Sequence, residues 1–119
     1  MESIARFFED LYKKFNARQI DQLILQMTTD VSWANGMEGG HVHGHNAVRE
    51  YWRRQFEIID SKVTPVTIDI KNDRIKIKVH QVVHDLAGNL LADEFVYHHF
   101  YLRENKIVRF DIGDKIKSI

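Results

Sequence analysis

The apolar positions change period partway along the chain. In the first half they recur at helical spacing. Ile4, Phe7, Phe8, Leu11 and Phe15 fall on one stripe, with Glu9, Asp10, Lys13 and Lys14 opposite, as an amphipathic helix requires. Ser3 is placed to cap it, and Asn16 breaks it. Ile20, Leu23, Ile24 and Met27 predict a second, short helix that Thr28-Thr29-Asp30 ends. Val31 to Ala34 reads as a short strand, and Asn35-Gly36-Met37-Glu38-Gly39-Gly40 as a glycine-rich loop. A third helix is predicted from about Asn46 to Asp60, with Val48, Tyr51, Trp52, Phe56 and Ile59 on its apolar face. On its other side Glu50 and Arg54, and Arg53 and Glu57, are spaced as solvated ion pairs rather than as a phosphate site.

From Val63 the period is two. Val66, Ile68 and Ile70 alternate with Thr67 and Asp69. Ile75, Ile77, Val79, Gln81 and Val83 alternate with Lys76, Lys78, His80 and Val82. A long strand runs from about Leu91 to Arg103 and a last one from Ile107 to Ile112. Asn72-Asp73, Ala87-Gly88-Asn89 and Glu104-Asn105 supply the turns. Short connections make these four strands an antiparallel meander. One face of such a sheet must be covered, and the three helices are what is available. The expected class is α+β: one domain over residues 1–119, with a curved antiparallel sheet wrapped around three N-terminal helices and a hollow between them.

Composition narrows the function. No cysteine is present, which excludes disulfides and thiolate metal sites. Lys+Arg and Asp+Glu both number 17, and this balance argues against a nucleic-acid or anionic-membrane surface. No segment reads as a membrane span or a signal peptide, so a cytoplasmic location is expected.

Certain landmarks recur together: Asn16 to Asp21 after the first helix, Asp30-Val31-Ser32-Trp33 entering the first strand, Gly44-x-x-Ala47-Val48-Arg49 opening the third helix, and Asn105-Lys106-Ile107-Val108 beginning the last strand. In this order the chain resembles the cone-shaped fold of the ketosteroid-isomerase, polyketide-cyclase (SnoaL-like) and nuclear transport factor 2 superfamily. The resemblance implies a small-molecule pocket, acid/base chemistry on a hydrophobic oxygenated substrate, and a homodimer. No cofactor is implied. Ketosteroid isomerases use an aspartate base, a tyrosine and a protonated aspartic acid. Ungapped counting places these roles on Asn35, on Leu11 beside Tyr12, and on His98, so that mechanism is not kept. The arginine between two carboxylates of the limonene-epoxide-hydrolase-like members is missing as well. The alternative is a non-catalytic ligand-binding or dimerisation module with the same pocket.

The resemblance turns the strand face of Glu94, Val96, His98 and Phe100 into the cone, and Phe95, Tyr97, His99 and Tyr101 outward. The expected catalytic pair is His98, as the proton-transferring or hydrogen-bonding group, and Asn35, orienting a carbonyl or water. Gln81 or Asn35 is the expected partner of His98, and burial is expected to lower its pKa. Trp33, Tyr12, Tyr51, Trp52, Phe56, Glu94, Phe100, Phe110 and Asp114 are expected to contact the substrate. His41, His43 and His45 would share a direction in an extended segment and could ligate a metal. A polar loop with His45 or Asn46 capping the third helix explains them more simply, so no metal is expected. Segment 36–45 holds four of the six glycines and is expected to gate the pocket.

Overall fold

A computed structural model describes residues 3–116, with side chains as far as Gly113. Helix α1 (Ile4–Asn16) begins where the Ser3 hydroxyl accepts the Arg6 amide at 3.1 Å. It ends with Lys13 and Lys14 against its C-terminal dipole. Asn16 does more than break the helix. Its amide donates to the Val63 carbonyl at 2.8 Å and accepts the Val63 N–H at 2.9 Å, fastening α1 to the sheet.

Helix α2 (Ile20–Ile24) is shorter than its spacing suggested. Met27, Thr28, Thr29 and Asp30 belong to strand β1 (Met27–Ala34). Met27 is still buried, so its burial matched a helical stripe while its backbone joined the sheet. Strand β2 (His41–His43) pairs antiparallel with β1. Helix α3 (His45–Ile58) follows, and its N-cap is Gly44 at φ 84° with no side-chain cap. Neither His45 nor Asn46 caps it. Only glycine holds that left-handed conformation cheaply.

Strands β3 (Ile59–Lys71), β4 (Arg74–Asp85), β5 (Leu90–Arg103) and β6 (Lys106–Ile116) form the expected meander. The six strands lie in the order β2-β1-β6-β5-β4-β3, with β1 parallel to β6. Strand β3 starts at Ile59, before the predicted change of period, and therefore shortens α3. Its alternation is also broken. Pro65 pairs with Val79 and Thr67 with Lys78, which leaves Val66 as the extra residue of a bulge. Val66 consequently points out and is half exposed, while Val63 is buried and Ile68 packs on the core. The bulge lets an odd-numbered and then an even-numbered stripe face inward along one strand.

The core lies between the concave sheet face and the helices. Phe8 and Leu11 of α1, Val48 and Trp52 of α3, and Ile75, Ile77, Val79, Val96 and Phe100 of the sheet are all buried. None of the described helices is long and apolar enough to cross a membrane.

Candidate active site

Helices and sheet do not close completely on one another. They leave a cavity of about 270 Å³, just below the roughly 300–1,000 Å³ usual for small-molecule sites. Its wall is largely apolar and carries seven Phe, Tyr and Trp rings. Trp33 and Phe110 stack with ring centres 4.2 Å apart, and Trp52 meets Trp33 edge-on at 5.1 Å. Period-two alternation on β5 turns Glu94, Val96, His98 and Phe100 into this space. Tyr12 reaches it from α1 and Tyr51 from α3.

The central polar contact joins α1 to β5 across 86 residues of chain. The Tyr12 hydroxyl lies 2.7 Å from His98 Nδ1, with both groups buried. The partner of His98 is thus Tyr12, not Gln81 or Asn35. The Phe110 ring packs edge-on against the imidazole at 4.9 Å. Desolvation lowers the His98 pKa to about 3, with a smaller push from neighbouring His99. Burial raises the Tyr12 phenol well above its ordinary value. Both groups are therefore neutral at physiological pH.

Two neutral groups hold two exchangeable protons between them, and one proton makes the bond that joins them. If Tyr12 donates to Nδ1, Nε2–H is left as a donor. If Nδ1–H donates to Tyr12, the phenol proton is left and Nε2 is a lone pair. Either tautomer presents one donor and one acceptor, one at the Tyr12 oxygen and the other at Nε2.

The other sequence-predicted residues divide. Trp33, Tyr51, Trp52, Glu94, Phe100 and Phe110 line the cavity with Tyr12 and His98. Phe56 does not. It packs on Phe15 and lies under the Arg18 guanidinium at 4.1 Å. Asn35 is not in the cavity wall either. Its Oδ1 accepts the Met37 and Glu38 amides at 3.0 and 2.9 Å and so forms the turn of its own loop. The side chain of Asp114 lies outside the described residues. Ser61, Gln55 and Gln81 also line the cavity; of these only Gln81 was expected near the site, as a partner of His98. For Gln81 the signal was present, in its alternation with buried neighbours.

The three histidines diverge. His41 Nε2 contacts Asp111 Oδ1 at 2.6 Å, His45 Nε2–H donates to the Met27 carbonyl at 3.1 Å, and His43 is exposed. Among the described residues no group of three or more His, Asp and Glu could hold a metal ion. Because His41 to His43 are a paired strand, the free loop at the cavity spans only 35–40. There the Gly36 N–H donates to the Tyr51 hydroxyl at 3.0 Å, and Gly36 and Met37 complete the wall.

The family model described as a SnoaL-like domain matches residues 8–110. No curated protein matches. A nuclear transport factor 2-like protein of unknown function from Burkholderia pseudomallei shares the fold with a TM-score of 0.84 and 22% identity, over 95% of this chain and 91% of that one. TerC, co-crystallised with polyporic acid, gives 0.77 and 24%, over 86% and 83%. An epoxide hydrolase of M. tuberculosis, similar to the limonene-epoxide-hydrolase type, gives 0.77 and 12%, over 91% and 79%. At these identities the likeness is one of fold.

Proposed function

This chain belongs to the SnoaL-like family, and from that we propose that it is an enzyme moving a proton on a largely apolar, carbonyl-bearing small molecule held in the cavity. The observation that carries the reading is the buried 2.7 Å contact between Tyr12 and His98 at an aromatic wall. In the productive tautomer Nδ1–H donates to Tyr12, and the Tyr12 proton points to the ligand carbonyl. The carbon beside that carbonyl gives its proton to Nε2. The Nδ1 proton passes to the Tyr12 oxygen, and the Tyr12 proton passes to the carbonyl oxygen. The C–H pair becomes C=C, the carbonyl π pair becomes O–H, and an enol results. Every species in this cycle is neutral, which suits a site where burial disfavours both imidazolium and phenolate.

A simple aryl ketone, para-hydroxybenzylacetone, is a suitable probe. Wild-type protein is expected to accelerate deuterium exchange beside its carbonyl, followed by proton NMR in heavy water. Tyr12→Phe and His98→Gln should each reduce that acceleration by about a hundredfold or more, with affinity for the ketone changed only a few-fold. Exchange unaffected by either substitution would refute the assignment. One observation favours a non-catalytic binding module instead. At Asn35, where the resemblance puts the family's base, the amide takes no proton and its oxygen holds a turn. Ketone binding with no exchange would establish that alternative.

Two further readings belong here. Loop 35–40 acts as a lid, since Gly36 and Met37 border the cavity and the Gly36 amide rests on Tyr51. Its amides should exchange quickly in the free protein and more slowly with the ketone bound. Strong protection without ligand would rule the lid out. The outer face of β5 pairs two copies. Phe95, Tyr97, His99 and Tyr101 are only half-buried there, although Lys76 Nζ covers the Tyr97 ring at 4.3 Å and Lys78 Nζ the Phe95 ring at 5.1 Å. Sedimentation should give twice the chain mass at micromolar concentration. A monomer would exclude the pairing.

A further inference from the structure

We propose that the cavity reads its ligand at two poles, with Glu94 and Gln81 accepting a hydrogen bond from a hydroxyl or amine at the end opposite the carbonyl. The inference rests on the carbonyl-binding role of Tyr12 and His98. Its basis is the sequence of cross-strand rows on the concave face. His98 pairs with Ile77, Val96 with Val79, and Glu94 with Gln81. Val96 and Val79 are fully packed, so the middle row is an apolar waist. On one side of it lies the Tyr12–His98 pair. On the other lie Glu94 and Gln81, with Ser61 close by on β3 and 3% exposed.

Polar side chains on a concave face are costly where they serve no contact. Here three of them, from three strands, gather at one end of the cavity. Glu94 and His98 are four residues apart on one face, about 13 Å at ~3.3 Å per residue. A molecule in contact with both must be elongated, with its polar atoms on the order of 10 Å apart and a flat apolar body against Trp33 and Phe110.

The two poles also differ in sign. The Tyr12–His98 pair offers a donor and an acceptor, whereas a carboxylate only accepts. Glu94 is already engaged within the protein, and a carboxylate has about four acceptor sites with which to meet a ligand donor as well. A donor-bearing end is therefore directed to Glu94, and a ligand ending in a carboxylate is repelled there. This orientation sets which carbonyl meets the proton-exchanging pair.

The test compares para-hydroxybenzylacetone with its methyl ether, which keeps shape and carbonyl and loses the distal donor. Calorimetry on the wild type should show the phenol binding about tenfold more tightly, the size expected of one charge-assisted hydrogen bond. Glu94→Met should abolish that preference and leave the affinity of the ether within about twofold of wild type. Glu94→Gln, with a neutral acceptor, should keep part of the preference. Gln81→Met should reduce it, which gives a second readout if Glu94→Met does not fold. His98→Gln should leave the preference intact, because it alters the other pole. Equal affinity of the two ketones for the wild type, or a full preference in Glu94→Met, would overturn the two-pole inference alone. If neither ketone binds the wild type, the carbonyl-binding reading falls, and this inference with it.

Discussion

Trp52→Ala is expected to lower the unfolding free energy by about 3–5 kcal/mol, the usual cost of deleting a buried aromatic ring. The indole is 1% exposed and sits where three elements meet. It packs edge-on against Trp33 of β1 at 5.1 Å and against Phe15 of α1 at 5.9 Å. The loss also enlarges the cavity, so ketone affinity should fall in parallel. Phe8→Ala is the control, because Phe8 is fully buried against Phe100 at 4.7 Å and lies outside the cavity wall. It should cost a similar amount of stability with a smaller effect on affinity. Urea titration at constant slope measures the two losses of stability, and calorimetry the two affinities. A loss below about 1 kcal/mol for Trp52→Ala would mean that the ring does not join α3 to the core.

The second large effect is on stability against pH. The His98 imidazole binds a proton near 6.5 when unfolded and near 3 when folded. Between those values the unfolded chain holds more protons, so stability rises with pH. The contribution is fully present above about pH 6.5 and is lost progressively as pH falls towards 3. At about 1.4 kcal/mol for each pH unit, acidification removes several kcal/mol in all. Other groups titrate in the same window, so the comparison that isolates His98 is with His98→Gln. The difference in stability between wild type and this variant should shrink by about 2 kcal/mol from pH 6.5 to pH 5. A difference that stays constant with pH would show that His98 charges freely in the folded state.

Much of the fold is legible in the sequence because burial imposes a period. The stripe from Ile4 to Phe15 and the alternation from Phe95 to Tyr101 each belong to one element with one buried face, and both are found as read. The failures occur where period and backbone part. Met27 continues the spacing of Ile20, Leu23 and Ile24, but its backbone pairs with Ile107. Spacing reports burial, and here burial was shared by two kinds of element. The bulge at Val66 adds one residue to β3, a change that no period-two pattern can register in advance. Strand β2 has three residues, too few to display any period.

The site is less legible for a related reason. Its wall follows from alternation on β5, but its chemistry depends on a contact between residues 86 positions apart. Counting along the resembled pattern landed on Leu11. One helical residue is about 100° of rotation, which is enough to exchange a core leucine for the tyrosine that meets His98. Asn35 shows the opposite case. Ungapped counting put it in the base position of the ketosteroid isomerases, yet its Asx turn, common in such loops, already occupies the side-chain oxygen.

Nitrogen-15 NMR of the His98 ring, without and with para-hydroxybenzylacetone, tests the central claim most directly. The account predicts a neutral ring with one protonated nitrogen from about pH 5 to pH 8, and a marked shift of its resonances when the ketone binds. A ring that titrates near its ordinary value of about 6.5 and does not respond to the ketone would contradict it.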